Sequence, residues 1–313
     1  MNQSHDLLAN PFDDAMREGC VRSESVLRLD RSGRLTRTYG TKGKGSGEIT
    51  GIGPLFATES RVYVSSSGTG RILRYSKADG TTTGSYQLVG FLSSVAQDGE
   101  YTLFGNYAPD RGTTVTRWRR DSVDLGHMVA IPAEYVASPA LGPTFPGVHV
   151  ATFGDSILVG FMGAPYLVVS DRSGTVSDTV FVPSVRRKTY PSDLEKAMQG
   201  SPSARVGQLS ALFHLHRRPD GQTVLAYYDH DMVDGVLSSR PFLSLLSRDR
   251  RTACLDREMV VSQDSRALMA FSGDTIFVLE SQVEADQTRS TITRYLLSAE
   301  GYDWVSTKPK GGH

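Results

Sequence analysis

The sequence has little of what directs a chain to a membrane, a metal cluster or a disulfide framework. Only two cysteines, Cys20 and Cys254, occur in 313 residues, and neither lies in a metal-binding spacing. We interpret them as two isolated thiols; the alternative is a bridge between the N-terminal region and the later part of the chain. No apolar run reaches the roughly 18 residues that a membrane-spanning helix needs. The sequence therefore predicts no membrane span.

Net charge is also absent, since 34 Lys and Arg residues balance 34 Asp and Glu residues. Affinity for a phosphate backbone depends on clustered Lys and Arg, so we expect no nucleic-acid partner. Residues 1–20 lack the basic start and the apolar centre of a signal peptide. The sequence as it stands predicts a cytoplasmic location, and export is the alternative if a leader has been removed or missed.

Turn residues, by contrast, are plentiful: the chain contains 31 Gly and 14 Pro, as many tight turns require. An alternating strand that ends in a charged or Gly-containing turn recurs along the chain, mostly about 40–50 residues apart, which is the period of a four-stranded propeller blade. The copies are Val26–Gly33, Ile72–Gly80, Val115–Ser122, Leu167–Gly174, Phe242–Arg250 and Ile292–Gly301. This repetition predicts an all-β propeller.

The clearest copy lies within Gly40–Gly80, where a Gly-rich connection leads into a strand hairpin. This stretch resembles the NHL-type repeat of six-bladed propellers, and the matching residues are Gly43, Gly45, Gly47 and Glu48 in the connection and Val62, Val64, Ser67, Gly68, Arg71, Ile72, Tyr75 and Gly80 in the hairpin. Ser46 and Ser65 depart from the family, which often has Pro and Asp there. The resemblance implies a ring of six blades.

The predicted fold is therefore all-β: a six-bladed β-propeller of four-stranded antiparallel blades over residues 23–306. Residues 1–22 either complete the first blade or leave it without its first two strands. The sixth blade is predicted over about residues 265–306, with Tyr302–Ser306 as its fourth strand. Residues 307–313 are polar and Gly-rich, and we expect a flexible tail.

One segment, Val185–Gln208, breaks the period between the predicted fourth and fifth blades. Ser192 and Glu195 form a capping box, and Gly200 is a stop signal. These signals predict a short helix over Ser192–Gln199, so that the insertion is helical at about residues 190–200.

Propeller geometry places both of the long excursions on one face. We label the strands of a blade A (inner) to D (outer). The D–A connections and the B–C loops then emerge on one face, and the A–B and C–D turns on the other. The insertion, at 185–208, and the predicted B–C loop, at 229–240, share a face at blades 4–5, and loops on rigid scaffolds often carry binding groups. The predicted ligand-binding residues are His149, Arg187, Tyr190, Tyr227, Asp229, Asp231 and Arg240. The favoured function is a binding module for a peptide, a protein or a small molecule, with no cofactor.

Histidines near this face raise an alternative. His214 and His216 alternate on an inner strand and so point the same way, while His230 lies between two aspartates. Imidazole and carboxylate together suit proton transfer or a divalent cation. The alternative is therefore an enzyme (a hydrolase, lactonase or lyase) with these three histidines as catalytic residues. A polar lining of the channel is the stronger explanation for them, and the predicted inner strands lack the mid-strand acids of calcium-dependent lactonases. The basic runs Arg117–Arg120 and Arg248–Arg251 are expected to be solvated turns.

Overall fold

The structure is a computed structural model. It describes residues 7–9, 25–30, 34–58, 60–88, 90–119, 123–138, 141–190, 193–197, 199, 205–233, 236–259, 266–284, 287–298, 300–301 and 303–307.

A three-stranded antiparallel sheet begins the chain. Its strands are β1 (Leu7–Ala9), β2 (Val26–Leu29) and β3 (Leu35–Tyr39), and a short parallel pair follows, β4 (Thr41–Lys42) with β5 (Glu48–Ile49).

Three four-stranded antiparallel sheets come next, and we keep the predicted numbers for them. Blade 2 contains β6 (Ile52–Ala57), β7 (Arg61–Ser66), β8 (Arg71–Ser76) and β9 (Thr82–Gln87). Blade 3 contains β10 (Phe91–Asp98), β11 (Tyr101–Ala108), β12 (Thr113–Arg119) and β13 (Val123–Ala130), with a 3-10 turn at Pro109–Arg111. Two short helices, α1 (Ala133–Ala137) and α2 (Leu141–Thr144), connect it to blade 4, which contains β14 (Val148–Phe153), β15 (Ser156–Phe161), β16 (Tyr166–Asp171) and β17 (Val176–Phe181).

The last two sheets differ from this pattern. After the insertion, with its helix α3 (Leu194–Ala197), blade 5 contains β18 (Ala211–Arg217), β19 (Thr223–Val233), β20 (Val236–Leu246), β21 (Thr252–Cys254) and β22 (Arg257–Glu258). Blade 6 has three strands, β23 (Arg266–Ser272), β24 (Thr275–Glu284) and β25 (Gln287–Leu296). The C-terminal strand β26 (Trp304–Ser306) joins blade 5, where it pairs with β21.

Apolar side chains on both faces of each blade pack against the neighbouring blades. On β7, Val62 and Val64 pack toward Tyr39 of the N-terminal sheet, whereas Tyr63 packs with Phe104 of blade 3. Because successive side chains of a strand point to opposite faces, one strand contributes to two cores. Further cores join blade 3 to blade 4, blade 4 to blade 5 and blade 5 to blade 6. This serial packing is that of a propeller, and it confirms the predicted all-β fold.

The predicted count of six four-stranded blades was wrong. The structure indicates five blades, blades 2 to 6, and the N-terminal sheet packs beside the first of them. Of the strands missing from the predicted first blade, β1 is described and residues 10–24 lie outside the described residues. Blade 6 lacks its predicted fourth strand because β26 pairs with β21 instead, with Cys254 opposite Trp304.

The predicted helix in the insertion is shorter than expected, since α3 spans only Leu194–Ala197. Ser192 of the predicted capping box, Cys20 and residues 308–313 lie outside the described residues. Cys254 is a free, buried thiol. None of the helices among the described residues is both long and apolar enough to cross a membrane.

Candidate functional site

The meander order of the strands defines two ends of the propeller. The first strands of blades 2 to 5 lie beside one another, so they are the inner strands. The end with the D–A connections and the B–C hairpins is called the upper face here, and the end with the A–B and C–D turns the lower face.

Most of the exposed large apolar side chains of the described residues lie at the upper face by this order: Phe91, Val136, Phe181, Val185 and Met232. Isolated exposed apolar residues need no explanation, whereas a concentration at one end is typical of an interaction surface.

The predicted loop at 229–240 is instead the end of a β-hairpin. Strands β19 and β20 stay in register from Asp229 opposite Arg240 to Val233 opposite Val236. Strand β18 pairs with β19 only as far as Tyr228, so the hairpin projects beyond its blade. An Asp-Gly pair between alternating strands is a strong hairpin signal, and residues 234–235 supply it in this sequence.

Five charged residues meet where the insertion touches this hairpin, and we call them the charged cluster: Lys188, Asp229, Asp231, Arg240 and Glu258. The Lys188 ammonium lies 2.6 Å from Asp231 and 3.4 Å from Asp229. The Arg240 guanidinium lies 3.0 Å from Asp231, 3.9 Å from Asp229 and 3.8 Å from Glu258. The hydrogen bonds from Lys188 and Arg240 lower the pKa of Asp231. The cluster therefore keeps fixed charges at the upper face.

The two aspartates of the cluster differ in how far they are buried. Asp229 is 4% exposed and also accepts a hydrogen bond from the Ser210 hydroxyl at 2.9 Å. The side chain of Asp231 is 39% exposed, and those of Lys188 and Arg240 are 34% and 39% exposed. Asp229 thus serves as the buried anchor, and Lys188, Asp231 and Arg240 remain accessible to a ligand.

The two ends of the insertion are tied together beside this anchor. The Ser210 amide donates to the carbonyl of Lys188 at 2.9 Å, and the Lys188 amide donates to the Ser210 hydroxyl at 2.8 Å. The Lys188 side chain also donates to the carbonyl of His230. These bonds hold the insertion against the hairpin. Ser210 carries no local signal in the sequence, because its partners lie about 20 residues away on either side.

The start of the insertion is held by Asp256, which sequence analysis also missed. Its carboxylate accepts from the Ser184 hydroxyl at 2.6 Å and from the Arg186 amide at 3.0 Å. Arg187 donates to the carbonyl of Val182 at 2.6 Å, and its guanidinium lies 5.9 Å from the Tyr227 ring centroid. Burial lowers the pKa of Arg187 and raises that of Tyr227. Arg187 and Tyr227, both predicted ligand contacts, therefore lie under the surface and support it.

Two other predicted ligand contacts lie in the packing between blades. The Tyr190 hydroxyl donates to the carbonyl of Met162 at 3.4 Å, and its ring packs edge-on against Tyr135. His149 is 4% exposed, and neither of its ring nitrogens has a hydrogen-bond partner in the structure. Burial lowers the pKa of His149 to about 4, which the nearby backbone of Leu212 partly opposes. Neither residue belongs to the charged cluster.

The three histidines predicted to be catalytic lie in two places. His214 and His216 stack on Phe271 of blade 6, at centroid distances of 4.7 and 5.6 Å, and His216 Nε2 lies 2.8 Å from the carbonyl of Gly273. Burial lowers the pKa of His214 to about 3. His230 instead lies in the projecting hairpin, with Nδ1 2.7 Å from the Ser239 hydroxyl. The inner pair and the hairpin histidine share no hydrogen bond among the described residues, and a catalytic role for them stays a prediction.

In the part of the chain that the structure describes, no group of three or more His, Cys, Asp or Glu side chains is placed to hold a metal ion. The divalent cation also stays a prediction.

A cavity of about 270 Å³ lies between blades 5 and 6, and its lining includes Leu243, Met259, Ile276 and Tyr295. Glu258 of the charged cluster lines the same cavity, so the charged surface continues into an apolar recess.

Comparisons with known proteins concern the fold. No protein-family model and no curated protein matches the chain, so the NHL-type resemblance stays a prediction. A solved member of the DUF4221 family from Bacteroides vulgatus has 9% sequence identity and a TM-score of 0.59, over 95% of this chain and 91% of that one. A candidate exported protein from Bacteroides fragilis has 11% identity and a TM-score of 0.55, over 82% and 73%. Together with the serial packing of the blades, these likenesses make the chain an all-β propeller.

Proposed function

We propose that this propeller is a binding module that presents its upper face at blades 4–5 to a peptide or protein segment. The observation that carries the proposal is the charged cluster, which joins the insertion to the projecting hairpin while Lys188, Asp231 and Arg240 stay partly exposed. Side chains already held by ion pairs lose little freedom when a ligand docks, so such a surface is preorganised.

The apolar residues beside the cluster support a peptide rather than a small polar ligand. Val185 and Met232 are exposed large apolar residues. Val185 lies three residues before Lys188 in the sequence, and Met232 directly follows Asp231. Apolar contacts with a polar rim are typical of protein interfaces. Carboxylates and guanidinium groups in the rim would bind the polar backbone and the charged side chains of an extended segment.

The enzyme alternative has less support. His214 and His216 stack on an aromatic ring, and His230 is bonded within its own hairpin. A general base needs hydrogen-bond reach to a substrate proton, and the bonds of His216 and His230 are made to the protein itself. We therefore do not extend the proposal to catalysis.

An array of random 15-residue peptides tests the binding proposal. The wild-type protein is expected to bind a defined subset of them, and Val185→Asp and Asp231→Ala should lose most of that signal. The matched control is Arg172→Ala, which breaks a 2.9 Å ion pair with Asp98 on the lower face and should bind like the wild type. Absence of a bound subset, or equal loss in the control, would contradict the proposal.

We also retain the NHL-type relationship as a proposal about ancestry. In the Gly-rich connection, the Gly45 amide donates to the Glu48 carboxylate at 2.7 Å, and the Tyr75 hydroxyl donates to the carbonyl of Gly47 at 2.9 Å. These four matching residues hold the connection against the hairpin, which supports the proposed relationship. An alignment of close homologues in which these positions vary freely would contradict this relationship.

Export is our proposal for cellular location. It is the alternative that the sequence left open, and the name of the fold neighbour from Bacteroides fragilis is consistent with it. Antibody detection in cell fractions of the native host tests it. Recovery of the protein in the cytoplasmic fraction alone would contradict it.

A further inference from the structure

The lower face of blade 5 carries an excess of arginine that the proposed function does not use. Its A–B and C–D turns, residues 217–222 and 247–252, contain five arginines and two aspartates, whereas the whole chain has no net charge. Charges of both signs are usually interspersed on a protein surface, whereas arginine dominates these two turns, which include the run Arg248–Arg251 that was predicted to be a solvated turn.

Two of these arginines converge on one aromatic ring of the neighbouring blade. The guanidinium carbons of Arg217 and Arg250 lie 5.6 and 5.5 Å from the centroid of the Phe153 ring. Phe153 ends the inner strand of blade 4, so the arrangement bridges two blades. Within the described residues, neither guanidinium group has a hydrogen bond or an ion pair. Their donors therefore face solvent while the ring holds the two cations in place.

The backbone of Arg250 shows that this position is unusual. Arg250 has φ of 63°, in the left-handed region that residues other than Gly avoid. The same turn of blade 4 has Gly174 there, with φ of 91°. The amide of each residue donates to the carbonyl three residues earlier, Ser247 at 3.0 Å and Asp171 at 3.1 Å. Glycine would satisfy the turn without strain, so the arginine side chain itself is the feature to explain.

Contacts on both sides hold the strained residue. Besides the amide bond to Ser247, the carbonyl of Arg250 accepts from the Thr307 hydroxyl at 2.7 Å, and Thr307 follows the C-terminal strand β26. The C-terminal strand thus fixes the turn that aims the guanidinium at Phe153. A fixed, unpaired pair of guanidinium groups is a preorganised receptor for carboxylates, which they bind through two parallel N–H donors.

We propose that Arg217, Arg250 and Phe153 form a second binding site, on the lower face, for an acidic peptide segment. The nearby carboxylates favour a peptide over a nucleic acid. Asp155 is fully exposed, 3.9 Å from Arg172, and Asp220 lies 3.4 Å from Arg218. The phosphates of a nucleic acid are held at fixed spacing along the backbone and would meet these acids, whereas carboxylates on flexible Glu side chains can turn away from them. The Asp249 carboxylate accepts from the Ser247 hydroxyl and the Arg251 amide, so it forms no ion pair with Arg217 or Arg250.

Fluorescence anisotropy with fluorescein-labelled octaglutamate tests the site at low ionic strength. The wild type is expected to bind, and Arg250→Gly and Arg217→Ala are each expected to weaken binding by up to about fivefold, as the loss of an exposed ion pair implies. Arg119→Ala is the matched control, because it removes another lower-face arginine, one paired with Glu100 at 3.2 Å. It should bind as the wild type does.

Arg250→Gly separates binding from folding, because glycine suits the left-handed turn. Its melting temperature should equal or exceed that of the wild type while octaglutamate binding falls. The proposal is overturned if the wild type does not bind octaglutamate, or if Arg250→Gly binds it equally well. The proposal of an acidic-peptide site is also overturned if a 20-nucleotide oligothymidylate binds more tightly than octaglutamate, since the site would then be a general polyanion site.

Discussion

At the scale of single residues, buried histidines contribute a pH dependence that their sequence positions do not reveal. The alternation of His214 and His216 indicates one shared side of a strand, but their stacking partner, Phe271, lies more than 50 residues away. His149 is buried by neighbouring blades, and neither of its ring nitrogens makes a hydrogen bond of normal geometry in the structure, although the backbone of Leu212 lies nearby. Burial without a hydrogen bond disfavours the charged imidazolium and lowers its pKa.

His149 should make the fold sensitive to mild acid. Its pKa in the folded protein is about 4, below the value of about 6.5 in an unfolded chain. The unfolded chain therefore binds more protons between these values, and stability falls as pH falls through this window. We expect His149 to account for a loss of about 2 kcal/mol between pH 7 and pH 5, at about 1.4 kcal/mol per pKa unit.

Urea unfolding at several pH values measures this slope. His149→Asn should make the slope shallower by about 2 kcal/mol between pH 7 and pH 5, because asparagine does not titrate. An unchanged slope in His149→Asn would show that other groups cause the acid sensitivity. Burial also lowers the pKa of His214, to about 3, so the share of the acid sensitivity that His214 contributes should remain in His149→Asn.

At the scale of elements, the projecting hairpin and the insertion stabilise each other through the charged cluster. Asp229 is nearly inaccessible and accepts from Ser210, whereas Asp231 is half-exposed. Solvent screens an exposed ion pair, whose usual contribution is below about 1 kcal/mol. Removing a buried acceptor lowers the free energy of unfolding by more, because its donors are then left buried without a hydrogen-bond partner.

Asp229→Ala should therefore destabilise the protein by about 2–3 kcal/mol, and Asp231→Ala by less than about 1 kcal/mol. Thermal or urea unfolding of both variants at neutral pH measures the difference. Equal losses, or a larger loss in Asp231→Ala, would contradict the assignment of Asp229 as the anchor. Asp98→Ala, which breaks the ion pair with Arg172 on the lower face, is a control away from the hairpin.

At the scale of the whole molecule, the C-terminal strand β26 closes the outer edge of blade 5. It pairs with β21 through Thr252–Ser306, Ala253–Val305 and Cys254–Trp304. The amide of Leu255 also donates to the carbonyl of Asp303 at 3.0 Å. Beneath this strand Cys254 is fully buried, and burial raises the pKa of its thiol to about 12. The thiol therefore reports whether the strand is in place.

Truncation after Gly301 should expose Cys254 to a thiol reagent such as Ellman's reagent. In a Cys20→Ser background, the intact chain is expected to react slowly and the truncated chain at least about tenfold faster, because reaction needs an accessible thiolate. A chain ending at Thr307 keeps β26 and should react like the intact one. Equal reaction rates in the two truncated chains would contradict the closing role of β26.

The sequence by itself determined the repeating all-β character of this protein, because strand alternation and turn residues are local properties. It also placed Asp229, Asp231 and Arg240 at the same end of one blade. Only the tertiary structure decided the number of blades and the partner of β26, because a strand edge offers the same backbone donors and acceptors whatever its side chains are. The same holds for the contacts of Lys188 with the hairpin and of Arg250 with Phe153. These contacts join residues roughly 40 to 100 positions apart, and only the packing of one blade against the next brings them together.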